Sequence, residues 1–445
     1  MLGIAANEFH YRLNWNTKQF IRRHALDTGK NYEVRSMDLA DQGERNIALA
    51  QMHMGALMAV KARFEKEKPL KGIRIGLALH VTKETANLVY TLIAGGAEVA
   101  ITGCNPLSTQ DDVAAALAKA DVNVWAYKGE TREDYYRYLN SVIDFKPHIT
   151  IDDGCDLVSE IHNKYPELIE GIIGGCEETT TGIIRLRAME NDGALKYPMI
   201  AVNDNQTKHL FDNFYGTGQS TIDGILRATN ILFSGKTVVV AGYGSCGKGV
   251  AKRAKGLGSN VIVTEVEPVR ALQAKMDGFR VMPMEAAVPS GDIFITVTGN
   301  KHVIRMEHIQ QMKDGAILAN SGHFDIEIDV AAMEKAAAAK RLIRTSLEEY
   351  AIDGKRIFLC GEGRLVNLAA AEGHPSEVMS TSFCGQCLAC EFLVKNKDSL
   401  NTEVILLPKE IDDEIATLQL AAMGVTIDTL TEEQIKYMNS WQEGT

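Results

Sequence analysis

The stretch Lys236–Gly258, KTVVVAGYGSCGKGVAKRAKGLG, decides how the chain is read. An apolar run, Thr237–Ala241, enters a glycine-rich turn and then a helical pattern. Two phosphate-binding signatures overlap there. Gly242, Gly247 and Lys248 supply most of G-x-x-x-x-G-K-[ST], but Gly249 stands where a hydroxyl must hold magnesium. Gly242, Gly244 and Gly247 supply G-x-G-x-x-G between a strand and a helix start. Glu265 ends the next apolar run, 18 residues after Gly247. A carboxylate at that point accepts from adenosine ribose hydroxyls and repels a 2′-phosphate. The turn therefore predicts NAD, bound by Gly242, Gly244, Ser245, Cys246, Gly247 and Glu265. Arg270 weakens the preference over NADP without reversing it.

Outward from this stretch, short apolar runs alternate with helix-length segments. GIRIGLALH, EVAITGCN, NVWAYKG and HITIDDG form one series, and TVVVAGYG, NVIVTEVE, DIFITVTGN and GAILANSGH form a second. Runs this apolar imply strands buried on both faces of parallel sheets. The predicted fold is α/β, with two tandem doubly wound, Rossmann-like domains joined by a hinge and followed by a C-terminal helical segment. The boundaries are 1–213 for a substrate-binding domain completed by 376–405, 214–375 for the NAD-binding domain, and 406–445 for the C-terminal segment. Gly216 and Gly218 read as permissive backbone points before a helix that is either a hinge or an ordinary connection. The late position of the dinucleotide turn implies that a substrate domain is encoded first, with the site in the cleft between the two.

The composition, 45% apolar and 24% charged over 445 residues, is that of a soluble globular protein. A net charge of −11 excludes a broad nucleic-acid footprint. No apolar run approaches the roughly 20 residues of a membrane span, and the N-terminus lacks the pattern of a signal peptide. A cytoplasmic protein with reduced thiols is expected. Cys384, Cys387 and Cys390 in CGQCLAC read either as a metal or iron–sulfur site or as small apolar residues on one helical face. No metal is assigned.

Several polar clusters carry candidate chemistry. IDDGCD puts Asp152 and Asp153 at a strand's carboxyl end, as ligand groups or helix caps. GGCEETTTG follows two acids with Thr179, Thr180 and Thr181, hydroxyls that suit a ribose or a nicotinamide amide, or a solvated capping turn. In NDNQTKHLFDN, Lys208 and Asp212 are four apart and share a face on a helix. They form either a surface ion pair or a lysine whose pKa is lowered by burial so that it takes a hydroxyl proton. NSGHFDIEID places His323 just beyond an apolar strand, in a structural or a functional role. Lys, Asp, His, Glu and NAD facing one cleft fit hydride transfer from an alcohol carbon.

With HVTKETA, CNPLSTQDD, IDDGCDL, EETTTG, NDNQTKHLFDNFYG, VVAGYGSCGKG, VTEVEP, NSGHFDIEID and GEGRLVNLAAAEGHPSEVMS in this order, the chain closely resembles the S-adenosylhomocysteine hydrolases, from about residue 30 to 440. The resemblance implies a hydrolysis whose steps are redox. NAD oxidises the ribose 3′-hydroxyl, the C4′ proton becomes acidic, homocysteine is eliminated from C5′, water adds and the ketone is reduced. It implies that Lys208 assists removal of the 3′-hydroxyl proton with Asp212 tuning it, that Asp153 is the candidate base at C4′, and that Glu178 binds the 2′- and 3′-hydroxyls. His80 and His323 would serve the 5′ side. Thr82, Glu84 and Thr85 would meet the purine, with Glu84 accepting from an amino group. Thr179, Thr180, Thr181 and Asn213 match the nicotinamide end, and Thr298, Ser321, Gly322, Asn367 and His374 match further cofactor or active-site positions. His374 and Met379 match the second crossing between lobes.

The family implies a small-molecule substrate, no nucleic-acid or membrane partner, and a homotetramer. Hydrolysis of S-inosylhomocysteine by the same chemistry, or a non-catalytic NAD sensor, are the alternatives. A simple dehydrogenase predicts net accumulation of NADH and is disfavoured. Three departures stand out: the chain stops after Lys436 and Tyr437 without the longer family tail, Arg270 replaces a common Asn, and Thr217 replaces a common hinge Cys.

Overall fold

The computed structural model describes residues 32–442. The start of the first domain at residue 1, the signal-peptide reading and the last three residues lie outside that range. Strands β1 (Tyr32–Val34), β2 (Arg74–Ala78), β3 (Glu98–Thr102), β4 (Asn123–Ala126), β5 (Ile149–Asp152), β6 (Gly174–Glu177) and β7 (Met199–Ile200) come first. Then follow β8 (Thr237–Ala241), β9 (Asn260–Thr264), β10 (Arg280–Val281), β11 (Ile293–Thr296), β12 (Ala316–Asn320), β13 (Ala339–Arg344), β14 (Leu347–Ile352) and β15 (Lys355–Cys360), and finally β16 (Val404–Ile405). They form two eight-stranded sheets, ordered β1-β4-β3-β2-β5-β6-β7-β16 and β10-β9-β8-β11-β12-β15-β14-β13. The first is parallel throughout. In the second, β14 runs antiparallel to both neighbours, which the reading of a purely parallel sheet did not anticipate.

Both orders reverse in mid-sheet. In the first sheet the chain runs outward from β2 through β3 and β4, then returns to β5 on the other side of β2. In the second the same reversal separates β8 from β11. Parallel sheets bind ligands in the crevice at such switch points, beyond the strands' carboxyl ends. His80 and Asp153 follow β2 and β5, and Gly242 and Thr298 follow β8 and β11.

The lobes are joined by the helix Thr217–Thr229 and by the segment before the 21-residue helix Ser376–Asn396. Gly216 has an ordinary helical φ of −62°. A Cβ at Gly218 would lie 2.7 Å from the carbonyl carbon of Gly249, so this glycine permits close helix packing. Close approach, not backbone freedom, is what these glycines supply.

After the second crossing the chain returns to the first lobe. Cys384, Cys387 and Cys390 are buried in its apolar core with Leu388 and Leu393. Burial pushes the Cys384 and Cys387 thiols up. All three thiols pack among apolar side chains. β16 pairs with β7, and the helix Lys409–Ala422 buries Ile415 in the same core. Its Asp412 accepts the backbone N–H of Gln206 at 2.7 Å and of Thr207 at 3.1 Å. This helix packs on the first lobe. Among the described residues, no helix is long and apolar enough to cross a membrane.

Candidate active site

A cavity of about 1180 Å³ lies between the carboxyl ends of the two sheets. Of the site residues named from the sequence, all line it except Gly247 and Asp152. A Cβ at Gly247 would lie 2.0 Å from the Gly242 carbonyl oxygen, so this glycine lets the helix Ser245–Gly256 pack against the turn. Gly242 has φ 106°, where glycine is favoured. No side chain caps that helix, which leaves its first N–H groups for an anion. Glu265 accepts the N–H of Tyr243 and Val266 at 2.7 Å and of Glu267 at 3.1 Å, which holds its carboxylate at the cavity edge beside Arg270. These residues fit an NAD pyrophosphate and adenosine ribose. Gly247→Ala overpacks the turn by about 1–3 kcal/mol. The nucleotide content of the purified protein is expected to fall about tenfold; unchanged content would show that the turn has room.

Farther along this edge, a carboxylate passed over in the sequence holds the Thr298 loop. Buried Glu327 accepts the Thr298 hydroxyl at 2.8 Å and the N–H of Thr298 and Gly299 at 3.0 and 2.7 Å. A Cβ at Gly322 would collide with it. Ser321 and Asn367 are tied to the hinge helix, through Thr221 at 2.5 Å and Ser220 at 3.2 Å.

The first lobe supplies the chemical end. Lys208 sits on the short helix Gln206–His209, and Asp212 opens a π-helical turn, Asp212–Gly216. The Lys208 Nζ is 3.1 Å from Asp212 and 3.8 Å from Glu178, and it donates to Asn213 at 2.8 Å and Asn203 at 3.2 Å. Asn203 also donates to Thr180 at 3.1 Å. Burial opposes the charge on Lys208, but Asp212 and Glu178 more than offset it and hold its pKa above that of an ordinary lysine. The expected lowering by burial is therefore corrected: two carboxylates keep the group an ammonium. Burial likewise opposes ionisation of Asp212, yet Lys208 and His374 hold it well below the usual carboxylate range. His374 bridges Asp212 at 3.3 Å and Thr217 at 3.3 Å, so the hinge threonine supplies a hydroxyl to the site.

Strand register sorts the paired acids. Glu177 accepts the N–H of Gly154 at 2.8 Å and Thr179 at 3.0 Å and braces the backbone. Glu178 lines the cavity. Burial pushes Glu178 up to about 7, against the pull of Lys208. Asp152 accepts the N–H of Asp153 and Val158, each at 2.9 Å, and is the capping member of its pair. Asp153 faces the cavity, 3.4 Å from His80 Nε2 of its own lobe and 3.4 Å from His323 Nδ1 of the other. Burial lowers His80 to about 4 despite Asp153, so its ring is neutral at pH 7. The His80 Nδ1 meets Ser108 at 2.8 Å and Cys104 at 3.2 Å, both within the CNPLSTQDD stretch. Side-chain atoms of His80, Asp153 and His323 lie within 4.8 Å of one another, close enough to converge on a proton or a metal ion. Gly154 lies beneath them with φ 110°, and a Cβ there would sit 2.3 Å from His323 Nε2.

At the opposite end, Thr82 caps the helix Lys83–Ala94, and the Thr85 hydroxyl donates to the His80 carbonyl at 2.6 Å. Buried Glu84 accepts from Ser376 at 2.6 Å and has Lys83 Nζ at 3.4 Å. Met379 follows Ser376 by one turn on the same helix.

Two family models match the chain: S-adenosyl-L-homocysteine hydrolase over residues 31–164, and the NAD binding domain of that enzyme over residues 213–373. The S-inosyl-L-homocysteine hydrolase of Methanocaldococcus jannaschii is 61% identical over 414 residues, covering 93% of this chain and 100% of the relative. The chain belongs to the S-adenosyl-L-homocysteine hydrolase family. The adenosylhomocysteinase of Aquifex aeolicus is 59% identical over 416 residues, covering 93% of this chain and 100% of the relative. In this member of the family the NAD-binding domain carries the Gly242 turn, Glu265, Thr298 and His323, while His80, Asp153, Glu178 and Lys208 lie outside it.

Proposed function

We propose that the chain catalyses the reversible, NAD-dependent hydrolysis of S-adenosyl-L-homocysteine to adenosine and L-homocysteine. The observation that carries this reading is the convergence of the Lys208–Glu178 pair and the His80–Asp153–His323 cluster on one cavity that also holds the dinucleotide turn. The Gly242 turn, Glu265 and the Thr298 loop would hold NAD, which would supply a reversible hydride acceptor for ribose C3′. Glu84 accepts from the base. Glu178 accepts from the 2′- and 3′-hydroxyls. Charged Lys208 donates to the 3′-oxygen and makes its hydroxyl more acidic, and Glu178, titrating near 7 at 3.8 Å from the ammonium, is the neighbouring acceptor for that proton.

A C4′–H beside a C3′ carbonyl is acidic, and Asp153 removes it. The two rings flanking Asp153 relay that proton to the departing sulfur. Neutral His80 then takes one from the water that adds at C5′, and that proton returns through Asp153, 3.4 Å away, to C4′. The lobe boundaries at 213/214 and 375/376, and a homotetramer working in the cytoplasm, belong to the same proposal. Sedimentation of the holoenzyme checks the assembly.

Release of free thiol, together with solvent deuterium appearing at C4′ in heavy water, tests the reaction. Thiol release without that deuterium would overturn it. The inosyl thioether is the second reading, favoured by the names of relatives at 61% and 55% identity. The Glu84 carboxylate accepts an adenine amino hydrogen or the hypoxanthine N1–H. We expect kcat/KM to favour the adenosyl substrate at least tenfold, about 1.4 kcal/mol in transition-state binding. The inverse ratio would assign the chain to S-inosylhomocysteine.

A further inference from the structure

The helix Ser376–Asn396 starts at the second crossing and touches two of the carboxylates that line the cavity. Ser376 donates to Glu84 at its first turn. Two turns on, the Ser382 hydroxyl donates to one oxygen of Glu178 at 2.5 Å, and the Gln386 amide nitrogen donates to the other. Ser382 and Gln386 are four residues apart, on one helical face, and both are fully buried. In its ionised form Glu178 only accepts, so the Gln386 amide turns its NH₂ toward it, and among the described residues the amide oxygen has no partner. Each Glu178 oxygen therefore holds one donor from the helix and keeps further acceptor capacity on the cavity side. A vicinal diol offers two O–H donors side by side, which matches that pair of acceptors.

We propose that Ser382 and Gln386 are positioning residues that fix the plane of the Glu178 carboxylate, and that this fixed plane selects nucleosides carrying both ribose hydroxyls. The inference rests on the reading of Glu178 as the diol acceptor. Neither side chain lines the cavity, so both act through Glu178. The other charged or titratable groups around Glu178 are Lys208, Asp212 and Asp153 on the cavity side, and Cys176 two residues back on the same segment. Bonds from Ser382 and Gln386 stabilise the ionised carboxylate. Removing them favours the protonated form, so the titration of Glu178 moves to higher pH.

The test uses the holoenzyme with adenosine and 2′-deoxyadenosine as probes, and the pH profile of kcat/KM. Gln386→Leu is expected to reduce the ribose-over-deoxyribose affinity ratio at least tenfold, through weaker adenosine binding, and to move the ascending limb of the profile to higher pH. Ser382→Ala is expected to do the same about threefold, and Ser382→Thr, which keeps the hydroxyl, to restore both. If Gln386→Leu does not fold, the Ser382 pair decides. Glu178→Gln separates the two levels of argument. If it keeps the wild-type ratio, the diol reading of Glu178 fails. If it loses the ratio while Gln386→Leu and Ser382→Ala keep both ratio and limb, the positioning inference alone fails. Equal weakening of both nucleosides with an unmoved limb would reduce the two residues to packing and would also overturn it.

Discussion

Lys208→Ala is expected to lower thioether turnover by about 10³-fold or more while the purified protein keeps its NAD. Loss of a preorganised charge beside a developing oxyanion costs about 10²–10³ in rate. Loss of the partner that tunes proton transfer adds to that. The ammonium is also the cation that Asp212 and Glu178 share, at 3.1 and 3.8 Å. Without it Asp212 keeps His374, at 3.3 Å, and both acids take up protons more readily. Stripping one partner from a buried pair costs about 3–5 kcal/mol of stability, so the melting temperature should fall as well. NAD content should hold, because the dinucleotide turn lies in the other lobe. Wild-type turnover in this variant would remove Lys208 from the mechanism.

The second large effect is expected from Asp153→Asn, which keeps the shape and removes the carboxylate proposed as the base. Mixing this variant with substrate should still reduce bound cofactor, because Lys208 and Glu178 are untouched. Incorporation of solvent deuterium at C4′ and release of thiol should both fall about 10³-fold, within the range attributed to a positioned base. The amide can still hydrogen-bond His80 or His323, each 3.4 Å from the native carboxylate, so the rings stay near their places. Undiminished deuterium exchange would show that another group removes the C4′ proton.

Much of this architecture is legible in the residues. β8, β9, β11 and β12 are buried on both faces and read as largely apolar runs, and glycine or acid follows them within three residues. What stays hidden has physical reasons. β13, AKRLIR, is exposed along its whole length, so no burial pattern marks it, and β14 turns antiparallel inside a sheet whose other runs suggest a parallel order. The adjacent acids Glu177 and Glu178, or Asp152 and Asp153, look alike until the strand register sends one to the backbone and the other to the cavity. The Lys208–Asp212 spacing points to contact. Against burial, the lysine's pKa is raised first by Asp212 and then by Glu178, which comes from the end of a distant strand and has no sequence spacing to announce it. Ser382 and Gln386 sit amid the apolar helix SFCGQCLACEFL with no motif of their own, and only the fold brings them to Glu178.

Gly154 sets the mechanical tolerance of the two-lobed device. With no side chain beneath His323, the second lobe can settle until its imidazole meets Asp153. Any larger residue would act as a shim, holding the jaws apart by a bond length or more. The dinucleotide turn lies in the same lobe as His323, so a propped enzyme would start its cycle less often, and each cycle begun would lack His323 beside Asp153. It would then expose the reactive sugar to bulk solvent, and each aborted round would strand the nicotinamide in its reduced form. Progressive self-inactivation on top of a slower initial rate is the signature expected of Gly154→Ala.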